Sequence, residues 1–138
     1  MSVYSESRGA DPINWNTRLN AIIDTINWNT RLNAIIDTSK ETPSESEIGK
    51  WKNESESWVT CAVGNACDVI PRCEKGRPYD EELAELGVKF YHNMKKVYES
   101  SHYNRPEGVI LGAAMARKTL SKIEARISEL IEQVNSES

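Results

Sequence analysis

No run in this chain approaches the ~18 consecutive apolar residues of a membrane-spanning helix, and the N-terminal MSVYSESRGAD lacks the basic-then-apolar order of a secretory leader. A cytoplasmic protein with no membrane partner is the expectation. Cysteine is scarce and odd in number. Cys61, Cys67 and Cys73 do not suit a secreted disulfide framework, and their five-residue gaps miss the short spacing by which two thiolates clasp one zinc. They read as small buried apolar residues. The only histidines, His92 and His102, stand in no nucleophile–base motif with Cys61 and are expected at the surface. Positive charge is also short: 17 Lys and Arg against 21 Asp and Glu leave a net charge of −4, with no one-signed field to draw a polyanion. No nucleic-acid partner is therefore expected, and Arg117, Lys118, Lys122 and Arg126 read as the solvated side of a helix. No catalytic or cofactor motif stands out, so neither a cofactor nor a metal is assigned.

What the chain does contain is a tandem duplication. INWNTRLNAIIDT occurs at residues 13–25 and again at 26–38, identical at all 13 positions. Within one copy Trp15, Leu19, Ile22 and Ile23 fall at i, i+4, i+7 and i+8, the stripe of an amphipathic helix, and Asp11-Pro12 supplies an N-cap and first-turn proline. Thirteen residues at about 100° each turn the second stripe, Trp28, Leu32, Ile35 and Ile36, by about 220° from the first. Both copies cannot face one core on a continuous helix. Either the chain breaks near Asp24-Thr25, where Thr25 can cap a new helix, or one long helix offers apolar faces to two different partners. Two units of this length do not make a solenoid, and the duplication reads as an insertion into a domain that began with one copy.

Beyond the repeat, Ser44-x-x-Glu47 forms a capping box that opens a helix over 44–65, with its apolar phase interrupted at Ser55. The β-branched residues of WVTCAV, 58–63, leave a short strand as the alternative there. DVIPRCEKGRP at 68–78 reads as a loop. Leu83, Leu86, Phe90, Met94 and Val97 then mark a helix over 79–100, opened by Asp80, Glu81 and Glu82. After the turn SHYN, Val109, Ala113, Ala116, Leu120, Ile123, Ile127, Leu130 and Val134 alternate spacings of four and three along a helix over 106–135. Gly108, Gly112 and Ala116 leave little side chain on one side, so a neighbour can approach closely. A short turn between two long helices makes them antiparallel neighbours. The fold class expected is all-α: a small bundle built on a C-terminal helical hairpin, with amphipathic helices from the duplication packed on it. One domain spans 13–135, between a disordered arm at 1–12 and a tail at 136–138.

The hairpin brings Glu82 and Glu85 level with Glu129 and Glu132. The piece Glu81-Glu82-x-x-Glu85 resembles the acidic element of MazG-like all-α nucleotide pyrophosphatases, in which carboxylates on paired helices hold magnesium. That resemblance implies a metal set of Glu82, Glu85, Glu129 and Glu132, although the family's second element wants an aspartate where Glu132 stands. Acidic residues at a helix start are also what the helix dipole favours.

All four tryptophans, Trp15, Trp28, Trp51 and Trp58, precede residue 60, and tryptophan is enriched where proteins meet. The functional expectation is a non-enzymatic helical interaction module, of adaptor or inhibitor type, that binds another protein and self-associates as a homo-oligomer. Its contact residues come from Trp15, Leu19, Ile22, Trp28, Leu32 and Ile35, one copy facing the core and the other a neighbour. A magnesium-dependent nucleotide hydrolase and a small-ligand binder with a pocket of Trp and Cys are the alternatives.

Overall fold

The structure is a computed structural model that describes residues 15–60 and 80–136; for 15–22 and 134–136 it describes the helical backbone without the side chains. Four helices follow in order, α1 (Trp15–Ile36), α2 (Glu45–Trp58), α3 (Glu81–His102) and α4 (Pro106–Ser136), with no strand among the described residues. The N-terminal arm, the 68–78 loop, the last two residues and Cys61, Cys67 and Cys73 lie outside the described residues.

The duplicated segment does not break at Asp24-Thr25. Both copies wind into the single helix α1, which ends only after Ile36. Asp37 stops it: its carboxylate accepts hydrogen bonds from the Ser39 backbone N–H (3.0 Å) and hydroxyl (2.6 Å), a local turn that competes with another helical residue. Ser44 then caps α2 by accepting from the Glu47 N–H. Ser55, where the apolar phase lapses, is nonetheless buried, and its hydroxyl donates back to the Lys52 carbonyl at 2.6 Å. Trp58, Val59 and Thr60 are helical, the last two in a wider π-type turn, so the strand alternative does not hold for the described part of WVTCAV.

Asp80 caps α3 through the Leu83 N–H, and Leu83, Leu86, Phe90, Met94 and Val97 all point into the core. The turn after α3 has Asn104 at φ 55°, in the left-handed region that asparagine tolerates better than most residues. Around it the Arg105 N–H donates to the Ser100 carbonyl and the Asn104 N–H to that of Ser101, the double closure of a Schellman end. Pro106, which has no N–H to leave unpaired, then starts α4. The long seam of α4 is buried at each position from Val109 to Leu130. Close approach of the hairpin requires its glycines: a Cβ on Gly112 would stand 2.8 Å from Val97 Cγ2, and one on Gly108 2.5 Å from Ser100 Oγ.

Cross-helix contacts set the directions. Asp80 meets Arg126 and Asn93 meets Thr119, so α3 and α4 are antiparallel. Glu45 meets His102, Gly49 approaches Tyr98 and Trp58 packs on Phe90, so α2 runs against α3. Trp28 meets Trp58 while Arg31 meets Glu54, so α1 runs against α2 and hence against α4, on which it packs. The molecule is an up-down-up-down bundle whose core lies among all four helices.

Candidate functional site

The two stripes of α1 have different fates. Trp28, Leu32 and Ile35 of the second copy are 4%, 0% and 2% exposed, and Ile36 packs against them. Trp28 lies edge-on to Phe90 at 5.2 Å between ring centroids and 5.9 Å from Trp58, which itself meets Phe90 edge-on at 5.4 Å. These three rings fill the space between α1, α2 and α3, as edge-to-face aromatic packing favours. Above them the Arg31 guanidinium sits 4.7 Å from the Trp28 ring centre and 5.7 Å from that of Trp51, and pairs with Glu54 at 2.6 Å. On the other side of α1 the Asn33 side-chain oxygen accepts from Arg117 at 2.9 Å. Trp28, Leu32 and Ile35, grouped in the sequence with contact residues, are thus core residues of this bundle.

A second side of α1 faces outward. Ile23 and Ile26 are 49% and 55% exposed, in the middle of a helix whose opposite side is buried. By helical spacing they share a face with Trp15, Leu19 and Ile22, whose side chains lie outside the described residues. By the same spacing Arg18 borders the start of that face, while Asp24 and Arg31 fall on the opposite side, so no charged residue stands three or four positions from Ile23 or Ile26. Asp24 instead turns to Trp58. Partial burial pushes its carboxyl above the ordinary aspartate range, and a side-chain hydrogen bond with Trp58 pulls it partly back.

At the other end of the hairpin, Glu82 and Glu129 lie to either side of one arginine. Arg126 donates twice to Asp80, Nη2 to Oδ1 at 2.6 Å and Nε to Oδ2 at 3.0 Å, and lies 4.0 Å from Glu82 and 3.9 Å from Glu129. The paired Arg126 hydrogen bonds hold the Asp80 carboxyl below its usual range, while Asp80 in turn raises the guanidinium. Glu85 is not part of this cluster; it lines a groove of about 540 Å³ along α3 with Glu81, Ala84, Val88 and Lys89. Among the described residues no group of three or more His, Cys, Asp or Glu is placed to hold a metal ion. Of Glu82, Glu85, Glu129 and Glu132, the first and third share Arg126, a cation already fixed to the protein.

Arg126 itself is not the solvated residue its sequence context suggested, since its side chain is 17% exposed in the pair with Asp80. Forty-six residues separate the two, and no local pattern links them. The contacts of Arg31 and Asp24 likewise depend on which way α1 faces, which no local pattern sets. His92 and His102 are exposed, and His102 Nδ1 lies 3.1 Å from Glu45 Oε2. No described helix is long and apolar enough to cross a membrane. Comparison with protein-family models, curated proteins and solved structures finds no match.

Proposed function

We propose that the protein is a non-enzymatic helical interaction module that self-associates, within the cytoplasm, through the outer face of the first half of α1. The observation that supports it is the pair Ile23 and Ile26, half exposed with no charged residue three or four positions from either, in a helix whose other stripe already fills the core. Burying such side chains is worth about 1.5–3 kcal/mol each. A second copy of this chain is the fitting occupant: homodimer interfaces are depleted in charge, and an uncharged stripe meets itself across a two-fold axis without repulsion. We prefer this reading to the nucleotide-hydrolase alternative because Arg126 already neutralises the acidic end of the hairpin in part.

Light scattering over a concentration series tests the reading. The natural chain is expected to dimerise, and the double variant Ile23→Asp/Ile26→Asp to stay monomeric with its thermal unfolding little changed. A natural chain that remains monomeric at the highest concentration reached would end the proposal.

A further inference from the structure

The groove that receives α1 is built by α2, α3 and α4, with Phe90 and Trp58 as its floor and Glu54 and Arg117 at its rims. Every side chain that the second copy places there has an identical counterpart thirteen positions earlier. Trp15, Leu19 and Ile22 match the core residues Trp28, Leu32 and Ile35, while Arg18 and Asn20 match Arg31 and Asn33. The match also runs past the repeat. Asp24, which meets Trp58, has Asp11 as its counterpart, and only Pro12 in place of Thr25 interrupts the series. Proline suits the first turn of a helix that begins there. Apart from buried Thr25, which gives way to Pro12, the groove meets the same side chains from either copy.

We propose that residues 13–25 and 26–38 are alternative occupants of this groove within one chain, so that α1 exchanges between two registers thirteen residues apart. In the register described above, the second copy docks and Ile23 and Ile26 face outward. In the other, the first copy docks and the second joins the connection to α2. That connection then runs from about residue 25 to 44 instead of 38 to 44, and loop-closure cost grows only slowly with length. Exchange makes the outward stripe conditional: it exists as a helical face in one register and not in the other. This inference stands whether or not that face self-associates.

Cross-linking distinguishes the registers. In the full chain with Cys61, Cys67 and Cys73 replaced by serine, E54C is combined with either R31C or R18C and treated with a short bismaleimide. Arg31 pairs directly with Glu54, whereas Arg18 lies about 20 Å further along a continuous α1, out of reach unless the register changes. The expected result is a link in the R31C/E54C chain and, more slowly, a within-chain link in the R18C/E54C chain. Adding Leu32→Ala should raise the R18C/E54C rate by about thirtyfold, the smallest shift typical of emptying a buried leucine site, and adding Leu19→Ala as well should abolish the gain. An R18C/E54C chain that stays unlinked with Leu32→Ala, or links only to a second chain, overturns the exchange. Thermal melts guard against simple unfolding. Leu32→Ala alone must keep a cooperative transition that Leu19→Ala/Leu32→Ala loses, and equal damage from both also overturns it.

Discussion

Ile23 and Ile36 hold the same position in the two copies of the repeat, as do Asp24 and Asp37, and Thr25 and Thr38. Ile23 is half exposed while Ile36 packs on the core, and Thr25 is buried while Thr38 is exposed. The aspartates titrate in opposite directions. Asp24 is raised by burial beside Trp58, and Asp37, one residue past the helix end, is lowered by the Ser39 hydroxyl and N–H. Thirteen residues of identical sequence thus behave as two different segments. The difference lies in the roughly 220° between their stripes, which a continuous helix cannot remove. Local sequence makes each copy helical and amphipathic; direction relative to the other helices decides what each side chain becomes.

The largest effect is expected from removing the floor of the groove in which a copy docks. Phe90→Ala takes away the ring on which Trp28 and Trp58 both pack, and should cost about 3–5 kcal/mol in a denaturant titration. Because that floor serves whichever copy docks, no substitution inside the repeat should restore it. A contrast lies outside the groove, where Asp80→Ala loses a helix cap and strands Arg126. A cost of about 3 kcal/mol is expected, with the fluorescence of the groove tryptophans unchanged in the folded state; a changed spectrum would mean the two regions are coupled.

Removing one copy asks the question directly. Deleting 13–25 or 26–38 yields the same polypeptide, in which Asp-Thr again precedes Ser39 and Asp11-Pro12 again precedes the helix. This chain should melt cooperatively, lose the circular-dichroism signal of about three to four helical turns, and no longer self-associate. Collapse of the transition would show that both copies belong to one core.

The smallest effects concern protons. Asp24 has a folded pKa above its ordinary 3.8, so it binds protons more readily folded than unfolded, and its contribution to stability falls as pH rises through that raised value. Asp24→Asn should therefore stabilise slightly at neutral pH and lose that advantage in acid. Asp37 and Asp80 are lowered and act in the opposite sense: their contributions are full above about pH 4 and vanish as pH falls through the lowered values. Melting temperatures of Asp24→Asn and Asp37→Asn between pH 3 and pH 7 should diverge in sign at the neutral end. Parallel curves would mean that the two aspartates share an environment after all.

Much of the bundle is legible in the sequence. The period of α3 and α4 placed their core residues correctly, because a seam of four-and-three spacings leaves little choice about which side is buried, and the glycines of α4 marked where α3 comes close. The helix ends near Ser44, Asp80 and Pro106 were legible for the same reason: capping depends on a few neighbouring atoms. The acidic cluster was half legible. Glu82 and Glu129 come together as a hairpin requires, yet the arginine between them belongs to a pair forty-six residues apart.

By itself, the sequence determined that each copy of INWNTRLNAIIDT is an amphipathic helix and that the two stripes differ in direction by a set angle, since the helical pitch is a property of the backbone. Only the tertiary structure decided that the second copy takes the groove. Phe90, Trp58, Glu54 and Arg117 make the groove once three other helices have packed, and the choice between identical copies falls to the ends of the repeat, where Asp37 closes α1 on Ser39 while Asp24 continues it towards Trp58.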